Sequence, residues 1–387
     1  MTRLALATRL LPAVLSLTVA VSGTHAAGFA IAERDAAGLG RAFAGQAAIT
    51  SAASLSANPA ALPQAPTLSA TLSGLANDLA ATDLGGASAD GGQSALIPAA
   101  YGAWQGAGIG LDVPFGLSTS YPDDWSGRTA ALDSEIRSVR LTLGGGVEAL
   151  PGLRLGASVF AQSFSAELSN AVVLAPGLDA RVHVDGDDLG VGFGLGALWQ
   201  PSEGLTLGLG YTSPVWHELR GSAELPAALG TRADTRVKLV TPESVRLGLD
   251  WRATARWRLL AGAEWTRWSR LQSFDIDLSN GLTLSEDHAW RDTWRLSLGT
   301  EHRRGPWTWR AGLAWDQSPV PDKAHRYPRL PDVDRTWLAV GVGYAAGPWT
   351  LSAGYAHLFM ADRSGVHPPL AYRSATDLLS VGVTRSW

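Results

Sequence analysis

Val191-Gly192-Phe193-Gly194-Leu195-Gly196-Ala197-Leu198-Trp199 carries two kinds of side chain in alternation. Val191, Phe193, Leu195, Ala197 and Trp199 fall on one face of an extended chain, and Gly192, Gly194, Gly196 and Leu198 on the other. Successive strand residues point to opposite faces, so the two faces meet different solvents. The same split separates Val139, Leu141, Leu143 and Val147 from Arg140, Thr142, Gly144 and Glu148. It also separates Val245, Leu247, Leu249 and Trp251 from Arg246, Gly248 and Asp250, and Trp307, Trp309, Ala311, Leu313 and Trp315 from Thr308, Arg310, Gly312 and Asp316. In these last three stretches charge sits opposite the apolar face.

Soluble sandwiches alternate in the same way, so the polar breaks between stretches decide the class. Short breaks lie at Gln105 to Ala107, Leu150 to Gly152, Gln200 to Gly204, Arg252 to Arg256, Arg303 to Gly305 and Ala345 to Gly347. Between them come longer ones: Tyr121 to Ser134, Leu168 to Asp187, Arg220 to Val237, Leu271 to Asp287 and Asp316 to Asp334. Short periplasmic turns alternating with long external loops are the pattern of an all-β, antiparallel transmembrane barrel. The stretches from 66–76 to 373–387, among them 182–199, 204–217, 234–251, 256–270 and 289–302, give about fourteen strands.

Tryptophan placement points the same way. Trp104, Trp199, Trp251, Trp257, Trp307, Trp309, Trp349 and Trp387 lie near short-turn ends, and Trp125, Trp216, Trp265, Trp268, Trp290, Trp294, Trp315 and Trp337 near long-loop ends. Two aromatic belts, one per bilayer interface, are expected from this.

Residues 1–26 read as an export signal: Arg3 and Arg9 precede an apolar run from Leu10 to Val21, and Thr24-His25-Ala26 offers small residues for cleavage. That run is shorter than the roughly 20 residues a spanning helix needs, and no later run reaches this length. Any membrane crossing is therefore by strands. Without the signal the chain has 29 basic and 35 acidic residues, a net charge of −6, which is no nucleic-acid footprint. The lack of cysteine excludes disulfides and thiolate sites.

Residues 27–64 differ from the rest, with many small side chains, little alternation, and Phe29, Ile31, Leu39 and Phe43 as anchors. Such a segment can fold into a lumen as a plug, leaving 65–387 as the barrel. In the third strand, Asp112-Val113-Pro114-Phe115-Gly116-Leu117 sets a proline, which has no N–H for the ladder, next to a glycine. Backbone against lipid must be paired. The interruption is thus either a kink that opens the wall or a bulge near the loop end.

Further markers follow in order: Gly38-Leu39-Gly40-Arg41-Ala42-Phe43-Ala44-Gly45, Asn58-Pro59-Ala60, Pro242-Glu243, Glu264-Trp265-Thr266-Arg267-Trp268-Ser269, Trp290-Arg291-Asp292-Thr293-Trp294-Arg295 and Pro331-Asp332-Val333-Asp334-Arg335-Thr336-Trp337. From Ala27 to Trp387 the chain resembles the FadL/TodX family of outer-membrane transporters, which carry long-chain fatty acids and other hydrophobic compounds. The resemblance implies a fourteen-stranded barrel closed by an N-terminal hatch, a hydrophobic binding site inside, and an exit at a kinked third strand. Phe29 is then expected beside the ligand, Asn58, Pro59 and Ala60 in the hatch turn, and Pro114, Phe115 and Gly116 at the wall kink. Arg291, between Trp290 and Trp294, matches a basic position near the ligand's carboxylate, for which a cation with rigid donors is suited. The same arginine could instead pair with Asp287 or Asp292. The breaks at Leu168 to Asp187 and Arg220 to Val237 are short for this family, leaving less chain for an external capture groove.

Expected partners are a hydrophobic ligand, outer-membrane lipids and lipopolysaccharide around the wall, and the barrel assembly machinery, addressed by the terminal Trp387. No cofactor or metal is expected. There is no Gly-x-Ser-x-Gly elbow, the glycines at 190, 192, 194 and 196 lack a βαβ context, and the histidines show no metal-ligand spacing. Three rivals remain: a channel of the same family for aromatic hydrocarbons, a general porin with an open lumen, and an outer-membrane lipid enzyme with converging Ser and His.

Overall fold

The structure, a computed structural model, describes residues 28–227 and 230–387; the expected export signal lies outside them. Fourteen antiparallel strands close on themselves. The first seven are β1 (Thr67–Asp83), β2 (Ser88–Asp90 and Ser94–Trp104), β3 (Ala107–Asp112 and Gly116–Ser120), β4 (Asp133–Leu150), β5 (Leu153–Ala175), β6 (Leu178–Ser202) and β7 (Leu205–Thr212 and Val215–Glu224). The others are β8 (Arg232–Thr241 and Ser244–Arg252), β9 (Trp257–Thr266 and Ser273–Leu278), β10 (Thr283–Asp287 and Thr293–Arg304), β11 (Trp307–Asp316), β12 (Arg335–Ala346), β13 (Trp349–Met360 and Arg363–Val366) and β14 (Pro369–Ser386). Closure is between the ends of the sheet, β1 pairing β14 from Thr67 opposite Ser386 to Asp83 opposite Leu370. No strand is left at a free end of the sheet, as a sheet in lipid requires.

The two faces sort as the alternation dictates. Val191, Phe193, Leu195, Leu247 and Leu313 are exposed on the outer wall, whereas Arg140 and Arg246 are buried within. All eight tryptophans near the short turns are exposed on the outside and form one belt. The opposite belt holds only Trp216, Trp294 and Trp315, exposed, with Trp265 directly across from Trp294. Trp125, Trp268, Trp290 and Trp337 turn inward and are buried, which corrects the expectation of two equal belts. Above the lipid both faces of the wall meet something other than hydrocarbon, so an aromatic there is free to serve the interior.

Three of the expected long loops are instead strand. β5 and β6 continue past the membrane to a turn at Pro176-Gly177, pairing Leu168 with Val184 and Val172 with Ala180. Likewise β7 and β8 pair as far as Glu224 opposite Arg232, and β9 and β10 pair from Ser273 opposite Asp287 to Asp277 opposite Thr283. Once a ribbon rises out of the bilayer its outer face turns polar, and hydropathy alone reads it as loop. The connections 121–132 and 317–334 remain true loops.

The N-terminal segment, residues 28–66, contains a helical turn at Ala36–Leu39 and short 3-10 turns at Ala52–Ser56 and Pro59–Ala61. Its backbone rests against inward-facing glycines all round the wall. A Cβ at Gly208 on β7 would stand 1.9 Å from the Ala47 carbonyl oxygen, and one at Gly156 on β5 would stand 2.3 Å from the Ala60 nitrogen. Gly312 on β11 and Gly354 on β13 are as tightly met, by Arg41 and Ala36. Contacts on opposite sides of a closed ring are what a segment inside the lumen makes.

Candidate functional site

The β2–β3 ladder runs from Trp104 opposite Ala107 only as far as Ala100 opposite Leu111. Beyond it, Val113, Pro114 and Phe115 leave the sheet, and Gly116 resumes pairing with β4 alone. Pro98, which has no N–H to offer, lies on β2 just past the point where the ladder ends. A seam is thus open in the wall between β2 and β3.

The seam is filled by the start of the N-terminal segment. The Ile31 N–H donates to the Pro114 carbonyl at 2.9 Å, and the Gly116 N–H donates to the Phe29 carbonyl at 2.9 Å. Ala30 and Phe115 are bridge partners between these bonds. The Ile31 side chain packs with Ile97 and Val113, and a Cβ at Gly116 would meet Ile31 at 2.8 Å. Ion pairs fix the foot of the seam: Asp112 accepts from Arg140 through two bonds, at 3.0 and 2.8 Å, and from the Tyr101 hydroxyl at 2.9 Å, and Arg34 of the N-terminal segment lies 3.3 Å away. Pro114, Phe115 and Gly116 therefore stand at a gap, and the gap is closed by residues 29–31.

Phe29 also faces inward, into a cluster with Trp268 at 4.9 Å between ring centroids, Phe115 at 5.6 Å, Trp290 at 5.9 Å and Phe164 at 6.2 Å. Phe29, Trp290 and Phe164 border a cavity of about 480 Å³ among the external halves of the strands, a volume within the range of small-molecule sites. Leu117, Ile136, Val184, Leu219, Val237 and Ile276 make most of its wall apolar. Polar groups gather beside Trp290: His288, with its ring 5.4 Å from that indole, and Glu286, Tyr327 and Arg329.

Of the residues expected at a ligand, Phe29 and Trp290 are brought together. Trp294 is not: it lies on the outer wall, 46% exposed. Arg291 is exposed, does not line the cavity, and bonds the Ser318 carbonyl at 3.4 Å, with no ion pair to Asp287 or Asp292. The strand break at 288–292 turns its side chain away from the interior. Asn58 is fully buried; its amide donates to the Ala47 carbonyl at 2.7 Å and the Ala197 carbonyl at 2.9 Å, and its oxygen accepts from the Ala60 N–H at 3.0 Å. Asn58, Pro59 and Ala60 thus tie the N-terminal segment to β6. The cation at the cavity is Arg329, which sequence reasoning missed because it lies in the 317–334 loop, where no periodicity exists to read. Phe164 and Trp268 were missed as well. For Phe164 the signal was a large ring on the inward face of β5, where it follows Ser158, Phe160 and Gln162.

Residues 17–368 match the family model described as Outer membrane protein transport protein (OMPP1/FadL/TodX). The chain is similar to the long-chain fatty acid transport protein of Escherichia coli O6:H1, at 29% identity, covering 86% of each chain. Its fold is similar to a Pseudomonas aeruginosa FadL homologue, with a TM-score of 0.85 at 24% identity over 93% of this chain and 99% of that one. It is similar also to the Pseudomonas putida toluene transporter TodX, with a TM-score of 0.78 at 20% identity over 92% and 99%. The chain belongs to the OMPP1/FadL/TodX family of outer-membrane transport proteins.

Proposed function

We propose that this protein takes up hydrophobic molecules passively, cargo entering the cavity from outside and leaving sideways through the seam between β2 and β3. The N-terminal segment is the hatch. One observation carries this reading: Phe29 is part of the cavity wall while Ala30 and Ile31 close the seam. A shift of these few residues joins the cavity to the bilayer.

The energetics favour that route. An apolar chain gains about 0.8 kcal/mol for each methylene it takes out of water. Straight below the cavity the lumen is ionic, with Asp112 held by Arg140 and Arg34, Glu264 by Arg246 at 2.6 Å, and Glu301 by three arginines. Greasy cargo gains nothing there and would have to disrupt those pairs. Sideways it meets lipid. No energy source is required, because ligand binding need only shift the hatch between two arrangements. The name of the Escherichia coli relative supports a hydrophobic cargo. The outer wall faces outer-membrane lipid and lipopolysaccharide, and the exposed Trp387 serves as the address for barrel assembly.

A disulfide tests the gate. Ala30 and Phe115 are directly opposed between the two backbone bonds, a pair type with Cα atoms roughly 4.5 Å apart, and the chain has no competing cysteine. In the double variant Ala30→Cys, Phe115→Cys, oxidation is expected to abolish uptake of a radiolabelled long-chain hydrocarbon and reduction to restore it. Equal uptake by the cross-linked and reduced forms overturns the sideways route.

A further inference from the structure

Resting on the uptake reading, the cavity's polar end has a chemistry that selects among greasy cargoes. Two ring nitrogens there, His288 Nε2 and Trp290 Nε1, are buried without a hydrogen-bond partner. Both rings border the cavity, with centroids 5.4 Å apart. Buried polar groups are ordinarily satisfied, and leaving one unmade costs more than a made bond returns. Two orphans at one end of an apolar cavity are a place for a ligand's polar atom.

The charges around them decide which atom. Arg329 is the cation on this lining, and two of its three nitrogens are engaged: Nε with Glu286 at 3.0 Å, Nη1 with the Ser134 hydroxyl at 3.1 Å and the Ser169 carbonyl at 3.3 Å. Glu286 Oε2 lies 3.7 Å from His288 Nε2, too far for a hydrogen bond. Asp185, also at the wall, accepts from the Ser222 hydroxyl at 2.9 Å. Two carboxylates against one guanidinium give the lining a formal charge of −1, with the histidines neutral. A carboxylate head would meet repulsion from Asp185 and Glu286 and would have to share Arg329 with Glu286. Nor can it donate a proton to a bare histidine nitrogen. A hydroxyl does both things the site asks: its oxygen accepts from the Trp290 N–H, and its O–H pairs with His288, donating or accepting as the tautomer requires.

We propose that the cavity selects apolar molecules bearing one uncharged hydroxyl, long-chain alcohols in the first instance, over the corresponding carboxylates, with His288 and Trp290 as the specificity residues. The recognition is of a neutral head by two ring nitrogens, and the apolar wall holds the rest of the molecule.

Equilibrium binding of radiolabelled hexadecanol, palmitate and hexadecane to the folded barrel in lipid nanodiscs at pH 7.4 tests this, with empty nanodiscs subtracted. Hexadecanol is expected to bind several-fold to about tenfold more tightly than hexadecane, the worth of one or two net hydrogen bonds, and palmitate more weakly than hexadecanol. Trp290→Phe and His288→Phe, which keep a ring in place, are each expected to bring the ratio of hexadecanol to hexadecane affinity down toward one. Palmitate binding as tightly as hexadecanol, or an alcohol preference that survives both variants, overturns the proposal. Saturable hexadecane binding with no preference for the alcohol leaves the uptake reading intact and removes only the head site. Failure of all three ligands to bind removes the uptake reading.

Discussion

His288 shows how burial sets the behaviour of a single ring. It lies in the break of β10 above the outer tryptophan belt, and loss of solvent pushes its pKa from 6.5 down to about 4, against the smaller pull of Glu286 in the other direction. The folded state therefore favours the neutral ring, while the unfolded chain titrates near 6.5. The neutral ring contributes stability that is fully present above pH 6.5 and is lost as pH falls toward 4. At its limit this amounts to about 3 kcal/mol at 1.36 kcal/mol per unit. The temperature at which the heat-modifiable gel band converts is expected to fall between pH 7 and pH 4.5, and to fall less in His288→Phe; identical losses would refute the role. Site residues were legible in the sequence only where periodicity held. Phe29 stood out as a large ring in a run of small residues and Trp290 as part of a family marker, and both line the cavity. Arg291 and Trp294 did not follow, since the chain leaves the sheet at 288–292 and inward and outward can no longer be counted across it.

Among the elements, the strands were the most legible part because each presents one face to hydrocarbon, and a greasy face every second residue is hard to mistake. Their upper ends were not, for the β5–β6 and β7–β8 ribbons carry no such face once above the lipid. Interruptions at Ser213-Pro214 and Pro242-Glu243 likewise merge into continuous strands in a hydropathy reading. The fit of hatch to wall was visible only as an abundance of glycine, whose purpose needs the partner backbone to be seen. Gly208→Val puts atoms where the Ala47 carbonyl stands, an overpacking that typically costs about 1–3 kcal/mol. Cells carrying it are expected to admit a large hydrophilic antibiotic that the native protein excludes. Gly74→Ala, whose Cβ would meet nothing nearer than 3.8 Å, is expected to leave the barrier intact, and equal leakage in the two would rule out hatch displacement.

Across the whole molecule, solvent is inverted: apolar side chains face outward, and the centre is a column of ion pairs crossed by the N-terminal segment. Glu301 on β10 pairs with three arginines, accepting from Arg310 at 3.0 Å, Arg258 at 3.2 Å and Arg41 of the N-terminal segment at 3.4 Å. Removing one partner of a buried ion pair leaves uncompensated charge and costs about 3–5 kcal/mol. Glu301→Gln is expected to lower the conversion temperature of the folded band and to raise leakage together, since the same carboxylate joins hatch and wall. An unchanged band would show that solvation by water, rather than pairing with Glu301, stabilises the arginines. The sorting of the sixteen tryptophans into bilayer-facing and interior groups has a practical side. Indoles at the belts lie within reach of brominated acyl chains in the surrounding lipid, whereas Trp268 and Trp290 can be dimmed only by a heavy-atom guest that has passed inside. The molecule thus holds two separately quenchable sets of emitters, one reporting insertion and the other occupancy.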